Sequence, residues 1–268
     1  MNKQSMRQLL VCCMMGVALI VSSCSSEEEL PSDGKGFVFM DMNVVADFEV
    51  KARAVDLAEY QNKNKYTVQI LKEGADAPLH EYRYAEIPEG IEMDNGTYIL
   101  KAFYGTDFTT SSRTNLYVEG IQNFSVNSDD QRVTVNCTPT AAKASVNFDP
   151  SMDTYFSDYW VSYETAALKA ESATAVWAKG DAAPWYLKVN KEGEVVKATI
   201  HFTRKAEYGS VASGTVEKTH TLLPNKSWTL NITPKYDPAT GQLGFTITID
   251  ESTNDHEMEI EVPSEWIG

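Results

Sequence analysis

The sequence predicts an all-β protein in which two tandem antiparallel β-sandwiches follow a short N-terminal export segment. Apolar and polar residues alternate with a period of two in segments spread from residue 66 to residue 262. Turn-forming pairs such as Asn95-Gly96 and Pro224-Asn225 separate these segments, and helical periodicity is confined to two short stretches. Strands with one apolar and one polar face are typical of antiparallel sandwiches rather than of parallel α/β sheets.

The first 23 residues have the composition of a cleavable export signal. Lys3 and Arg7 make its start basic, and residues 9–21 are apolar but too short to cross a bilayer core of roughly 30 Å as a helix. The segment ends in the order Val21-Ser22-Ser23-Cys24. This ending resembles the lipobox of the lipoprotein signal peptidase, which implies cleavage before Cys24 and acylation of its thiol and its new amino group. An ordinary cleaved signal with an incidental cysteine is the alternative.

Acylation would make Cys24 a membrane anchor, because two or three acyl chains hold a protein stably where one chain does not. The acidic run Glu27, Glu28 and Glu29 follows closely. It resembles the export signal that sends lipoproteins of Bacteroidota to the outer face of the outer membrane, so the chain is expected in the cell outer membrane, facing outward. A solvated acidic linker would have the same composition. Residues 24–35 are therefore interpreted as the lipidated cysteine and a flexible acidic linker.

Residues 36–143 are predicted to form the first sandwich. Its strands begin at residues 36–41, and the alternation is clearest where Tyr66, Val68 and Ile70 face one way. The same pattern recurs over residues 98–104 and 133–137, and one helical turn is predicted near residues 55–60.

Residues 144–268 are predicted to form the second sandwich. Strands are expected around residues 142–148, 196–203, 228–232, 245–249 and 258–262, and two helical turns over residues 164–171. In the first of these strands, Lys143, Ser145 and Asn147 are predicted to face solvent. All five tryptophans lie after the proposed boundary, at Trp160, Trp177, Trp185, Trp228 and Trp266, which favours two separately packed cores. Each half has the length of a seven- or eight-stranded immunoglobulin-like sandwich.

Charge argues against two classes of partner. Residues 1–23 hold two basic residues and no acidic one, so the mature chain has 21 Lys and Arg against 38 Asp and Glu, a formal charge of −17. Such a surface repels nucleic acid and anionic lipid headgroups. We therefore expect no nucleic-acid partner, and attachment to the membrane through the lipid anchor.

Cysteine content excludes an intramolecular disulfide in the mature chain. Cys12 and Cys13 leave with the signal and Cys24 is acylated, so only Cys137 remains. Because it alternates with Val133 and Val135, Cys137 is interpreted as a small buried apolar residue rather than as a catalytic thiol.

The first half contains short segments in a characteristic order. They are Gly36-Phe37-Val38-Phe39-Met40-Asp41, Lys51-Ala52-Arg53-Ala54, Gly96-Thr97-Tyr98-Ile99-Leu100, Tyr117-Val118-Glu119-Gly120 and Val133-Thr134-Val135-Asn136-Cys137. In this order they resemble Bacteroidota surface lipoproteins of unknown function, a family labelled as a carbohydrate-metabolism domain and related in style to fimbrillin-like adhesins. The resemblance covers residues 36–150 well and the later part in style only. It implies transthyretin-like sandwiches and a surface location, and it carries over no catalytic residue.

Motifs for catalysis and for cofactors are missing from the sequence. The string at His256-Glu257 lacks the second histidine of a zinc-binding helix, and residues 209–214 have the wrong spacing for a nucleophile elbow. No phosphate loop or dinucleotide fingerprint occurs, and the four histidines are scattered. We therefore expect no metal, no cofactor and no enzymatic activity; a carbohydrate-active enzyme is the less favoured alternative, because paired carboxylates arise by chance among 38 acidic residues.

Aromatic residues give the main indication of binding. Trp177 and Trp185 flank a loop at residues 180–184, and Trp160 lies in an aromatic cluster. Exposed rings stack on the apolar faces of sugars, so Trp160, Trp177 and Trp185 are candidate glycan-binding residues. The alternative is that these rings fill the second core, with Trp185 the most exposed of them.

Two non-enzymatic functions agree with these observations. The first is a surface-exposed lipoprotein that acts as an adhesion or glycan-binding module. The second is a fimbrillin-like pilus subunit or anchor, in which a strand of one subunit completes the sheet of the next. In such pili a protease cuts the precursor after an arginine and releases the first strand, and Arg53 is the candidate cleavage site. The partner would be a glycan in the first case and neighbouring pilus subunits in the second.

Overall fold

The structure is a computed structural model of the 268-residue chain and describes residues 34–48, 57–208, 213–251 and 260–262. The predicted functional residues Cys24, Glu27, Glu28, Glu29 and Arg53 lie outside the described residues. Within the described ranges the chain consists mainly of strands, with three short α-helices, so the predicted all-β class is confirmed.

The first half of the chain contributes α1 (Leu57–Gln61) and nine strands to the described structure. The strands are β1 (Lys35–Val44), β2 (Thr67–Lys72), β3 (His80–Arg83), β4 (Ile91–Asp94), β5 (Gly96–Tyr104), β6 (Ser111–Ser112), β7 (Val118–Val126), β8 (Gln131–Pro139) and β9 (Ala141–Phe148). The predicted alternation is present: Tyr66, Val68 and Ile70 are buried, whereas Thr67 and Gln69 are partly exposed.

The second half contributes α2 (Met152–Tyr155), α3 (Ala166–Ala170) and the remaining described strands. These are β10 (Phe156–Glu164), β11 (Ala175–Ala178), β12 (Trp185–Lys188), β13 (Glu194–Arg204), β14 (Ser213–Leu222), β15 (Ser227–Asp237), β16 (Gln242–Glu251) and β17 (Ile260–Val262). Helix α3 begins at an N-cap, where the Thr165 hydroxyl accepts a hydrogen bond from the Leu168 amide at 3.1 Å.

The first core lies inside one seven-stranded sheet of order β3-β2-β5-β7-β8-β1-β4. Only two residue pairs join β7 to β8, Val118 to Pro139 and Glu119 to Thr138, so the sheet turns a corner there. We call strands β3-β2-β5-β7 leaf A and strands β8-β1-β4 leaf B. Buried residues of both leaves, such as Leu100 and Val135, belong to one core cluster, which makes this half a sandwich.

The second core lies between two sheets. One has four strands in the order β11-β10-β13-β14, and the other has six in the order β17-β16-β15-β9-β12-β6. Phe202 of the smaller sheet packs edge-on against Phe245 of the larger one, with ring centroids 5.1 Å apart. Both residues are buried in a second core cluster.

Two strand pairs are parallel, which corrects the expectation of purely antiparallel sheets. β1 runs parallel to β8 from Val38↔Gln131 to Val44↔Cys137, and β9 runs parallel to β15. Period-two alternation shows which face of a strand is buried but not the direction of its neighbour, so the sequence pattern could not reveal these pairs.

The two halves contact each other through exchanged elements. Thr140 alone separates β8 from β9, and β6 of the first half pairs with β12 of the second. In return Tyr186 of β12 is buried in the first core. The predicted boundary between residues 143 and 144 remains a proposal, since these exchanges cross it.

Lys143 is buried, at 3% exposure, whereas the alternation predicts that it faces solvent. Lys143 pairs with Tyr186 across β9 and β12, and paired residues point to the same face of a sheet. Because the Tyr186 ring belongs to the first core, the Lys143 side chain points toward that core. A face that is polar in sequence is therefore covered by the neighbouring sandwich.

Candidate binding site

Trp177 lies inside the second core. Its ring is fully buried, packs edge-on against Tyr163 at 5.2 Å, and donates a hydrogen bond from Nε1 to the Ala183 carbonyl at 2.9 Å. A ring without an exposed face cannot stack on a sugar. The glycan-binding prediction therefore does not extend to Trp177, whose burial follows from its place on the inward face of β11.

Trp185 is half-buried at the start of β12, the strand next to the edge of the six-stranded sheet. Its Nε1 donates to the Val176 carbonyl at 3.1 Å, and the Arg113 guanidinium carbon lies 4.4 Å from its ring centroid. One side of the ring is thus occupied by a cation from the first half of the chain.

Arg113 holds the loop between β11 and β12 in place. Its two terminal nitrogens donate to the two Asp181 carboxylate oxygens at 3.0 and 2.6 Å. They also donate to the Ala183 carbonyl at 3.0 Å and to the Val176 carbonyl at 2.6 Å. The planar guanidinium group suits the bidentate contact with the Asp181 carboxylate. Arg113 was not predictable from the sequence, because a single arginine after a two-residue strand belongs to no recognisable motif.

Trp160 lies on the outward face of the four-stranded sheet, where its ring stacks on His201 with centroids 4.6 Å apart and an angle of 6°. The Ser162 hydroxyl is 3.2 Å from His201 Nε2, and partial burial lowers the pKa of His201. Trp177 pairs with Val161, one residue from Trp160, so the two indoles point to opposite faces of the sheet. The three predicted tryptophans therefore do not form one aromatic patch.

Cys137 is fully buried in the first core, and its Sγ lies 3.7 Å from the Ala102 carbonyl. Burial raises the pKa of the thiol to about 12. A protonated, inaccessible thiol is a packing residue and not a nucleophile.

A first depression, which we call the aromatic pocket, opens at the end of leaf A. It has a volume of about 400 Å³. Three rings and two basic side chains contribute to its lining, which includes Tyr60, Phe103, Tyr104, Lys65, Arg83 and Thr67. None of its lining residues is acidic.

A second depression, the junction groove, lies where the two halves meet and has a volume of about 760 Å³. β7 and β8 form one side, with Glu119, Ile121, Asn136 and Thr138. The other side comes from the second half and includes Lys188, Lys191 and Lys226. Ile121 is 57% exposed in this groove, and the polar groups around it can both donate and accept hydrogen bonds.

Neither a metal-binding cluster nor a membrane-spanning helix occurs among the described residues. No group of three or more His, Cys, Asp or Glu residues within them could hold a metal ion. No described helix combines the length and the apolar composition that crossing a bilayer requires.

Comparison with known proteins gives one sequence match and several structural likenesses. A family model described as Domain of unknown function (DUF4493) matches residues 34–264, whereas no curated protein matches the chain. The chain is similar to the fimbrial anchor protein of Porphyromonas gingivalis, with 8% identity, coverage of 85% of this chain and 100% of that chain, and a TM-score of 0.42. It is similar to a fimbrial assembly protein of Parabacteroides distasonis, with 9% identity, coverage of 81% and 97%, and a TM-score of 0.39.

Proposed function

We propose that this chain, which belongs to the family described as Domain of unknown function (DUF4493), is a lipid-anchored outer-membrane protein whose outward-facing β-sandwiches act in adhesion without catalysis. Membership of this family confirms the resemblance to proteins of unknown function that the sequence segments suggested. The family is defined without an assigned activity, so the proposal rests on features of the chain itself.

The position of β1 is the observation that carries the proposal. Only residues 25–34 separate the predicted anchor at Cys24 from the start of β1 at Lys35. Fully extended, that linker spans at most about 40 Å, so the first sandwich would stay close to the membrane. A load on the anchor would therefore enter the fold through β1.

β1 is well placed to carry such a load. It pairs with β8 on one side and with β4 on the other, and Val38 and Met42 are buried in the first core. A pull along the strand loads both hydrogen-bond ladders together instead of opening them one bond at a time. From β8 the chain passes through Thr140 directly into β9, a strand of the six-stranded sheet that encloses the second core. This continuous path suits a protein that holds a partner against force.

Attachment of bacteria under flow tests the adhesion proposal. We expect cells that display the chain to remain attached to a glycan-coated or cell-coated surface at shear rates that remove cells lacking it. The triple variant Glu27→Gln, Glu28→Gln, Glu29→Gln should stay in the membrane fraction but lose attachment and lose cleavage by added protease. Equal attachment, on every surface, of cells that display the chain and cells that lack it would contradict the adhesion proposal.

A pilus role is the second proposal, and the same strand favours it. Cleavage after Arg53 would remove β1, expose the unpaired edges of β8 and β4 and uncover the contacts of Val38 and Met42. A strand from another subunit could then complete the sheet. N-terminal sequencing separates the two proposals: a chain that starts at Ala54 supports a trimmed subunit, and a chain blocked by acylation at Cys24 supports a static adhesin or an anchor.

The proposed absence of catalysis has its own test. Any glycan that binds the chain should be recovered unchanged after long incubation, and product release would contradict the proposal. Trp160, whose ring lies on an outward face, keeps its predicted role in glycan binding as a proposal, and Trp185 keeps it on the side of its ring opposite Arg113.

A further inference from the structure

We infer that the outward face of leaf A binds an acidic glycan, along a path that joins the aromatic pocket to the junction groove. This inference rests on the proposed adhesion function and gives it a ligand class and a site. The row of residues that carries it belongs to the first half, the second half contributes the lysines of the junction groove, and the tryptophans that the sequence singled out line neither depression.

The two depressions belong to one continuous surface. Strand register places the outward-facing residues in one row across five strands, in the order Arg83, Thr67, Phe103, Glu119 and Thr138. The first three line the aromatic pocket, and the last two line the junction groove. Three strand spacings of about 4.8 Å separate Arg83 on β3 from Glu119 on β7, which makes the row about 14 Å long within leaf A, and Thr138 continues it on β8 beyond the corner. A ligand of that length would contact both depressions at once.

The lining of these depressions has the opposite charge balance to the whole chain. Five basic residues and one acidic residue contribute to it, whereas the chain has 23 basic and 38 acidic residues. Three of the five basic residues are partly neutralised by carboxylates outside the lining, in the ion pairs Lys65–Glu59, Lys188–Asp107 and Lys226–Asp47. Arg83 and Lys191, at opposite ends of the surface, have no carboxylate partner among the described residues. An anionic ligand would therefore find two available cations on a protein that otherwise repels it.

The single acidic residue of the lining is already occupied. Glu119 accepts a hydrogen bond from the Tyr117 hydroxyl at 2.7 Å and pairs with Lys101 at 2.9 Å. The Lys101 ammonium also lies 5.5 Å from the Phe103 ring centroid. The centre of the row is thus close to neutral and contains a half-buried aromatic ring.

The chemistry of the row favours a carbohydrate over a peptide. Phe103 offers ring surface for the apolar side of a sugar, while Thr67, Thr138 and Asn136 offer groups that pair with sugar hydroxyls. The strands of the row are paired on both sides except at β3, so an extended peptide has little backbone edge to join. We therefore assign the face to an acidic polysaccharide or oligosaccharide.

Binding of defined probes to the detergent-solubilised mature chain tests the inference. We expect oligogalacturonate to bind more tightly than an uncharged malto-oligosaccharide of equal length, and to weaken as salt rises, because the charges are partly exposed. Arg83→Gln should weaken oligogalacturonate about fivefold and Phe103→Ala about tenfold. Arg83 is exposed, so its variant keeps the inference testable if Phe103→Ala fails to fold.

A matched aromatic–cation pair on leaf B provides the control. Arg132 lies 5.2 Å from the Phe39 ring centroid, and both are directed outward. Arg132→Gln and Phe39→Ala should leave the affinity unchanged. Equal weakening by the leaf A and leaf B variants, equal binding of polyglutamate, or no binding of oligogalacturonate overturns the inference. Trp160→Ala as the only weakening variant overturns it also. Adhesion that persists while oligogalacturonate fails would leave the proposed function standing without this ligand class.

Discussion

Burial keeps the Cys137 thiol protonated and unreactive at neutral pH. The thiol lies in the first core with a pKa raised to about 12, so almost none of it is the reactive thiolate. We predict that the folded mature chain does not react with a thiol reagent such as a maleimide at pH 7.5, and that the urea-unfolded chain reacts with one equivalent. Mass spectrometry of both samples measures this. Rapid labelling of the folded chain would show that Cys137 is accessible.

His220 should make the fold sensitive to mild acid. It lies on the inward face of β14 beside Tyr163, whose hydroxyl is 3.4 Å from its Nε2, and its Nδ1 has no hydrogen-bond partner among the described residues. Burial, with a smaller contribution from Lys218, lowers the pKa of His220 to about 4. The pKa of His220 is therefore near 6.5 in the unfolded chain and near 4 in the folded chain. The unfolded state therefore binds the extra proton between these values, and stability falls as pH falls through that window.

The stability that the folded chain loses through His220 between pH 7 and pH 4 is at most about 3 kcal/mol. We predict that His220→Val abolishes this pH-dependent loss. Urea unfolding at several pH values would then show a shallower fall in the free energy of unfolding as pH decreases. Thr219→Val, a change at an exposed position of the same strand that removes no titrating group, is the control and should leave the pH dependence of the parent chain unchanged. The same slope in the parent chain and in His220→Val would contradict the assignment.

Single residues were predictable from sequence where local alternation decides their environment. Cys137 shares a face with Val133 and Val135, and all three are buried. Lys143 was not predictable, because its burial depends on a neighbouring sandwich and not on its own strand. Arg113 was missed for the same reason: the groups it binds lie more than 60 residues further along the chain.

At the scale of elements, periodicity located strands and short helices but not their partners. The pattern over residues 196–203 became β13, and the helical turns predicted over residues 164–171 and 55–60 became α3 and α1. The parallel pairs of β1 with β8 and of β9 with β15 depend on contacts between distant segments. The same limit applies to the row from Arg83 to Thr138, since five strands must be in register before its residues meet.

The loop between β11 and β12 depends on one side chain from outside it. Arg113 makes four hydrogen bonds there, and its ion pair with Asp181 is about three-quarters buried. We predict that Arg113→Lys lowers the free energy of unfolding by about 2 kcal/mol, because an ammonium cannot reproduce the two-pronged contact. Urea unfolding measures the loss, and exposure of Trp185 should shift its fluorescence to longer wavelength.

Arg132→Lys is the matched control for that measurement. Arg132 is exposed on leaf B and stacks over Phe39, so the change should cost less than about 0.5 kcal/mol. An effect of Arg113→Lys no larger than that of Arg132→Lys would show that the Arg113 contacts do not stabilise the loop.

For the whole molecule, the exchanged elements suggest that the two halves unfold together. Tyr186 of the second half is buried in the first core, β6 of the first half extends the second sheet, and Arg113 crosses between them. Opening either half alone would expose Tyr186 or leave the Asp181 carboxylate without its partner, at a cost beyond that of opening an isolated sandwich.

The distribution of two residue types allows this coupling to be measured without added labels. All tryptophans lie after residue 143, so tryptophan fluorescence reports on the second half, whereas maleimide labelling of Cys137 in a mature chain carrying Cys24→Ser reports on the first core. We predict that both probes give the same urea midpoint. In Arg113→Ala combined with Tyr186→Ala the midpoints should separate, because the links between the halves are removed. Two separate midpoints in the parent chain would mean that the halves unfold independently and that a load entering at β1 is borne by the first sandwich alone.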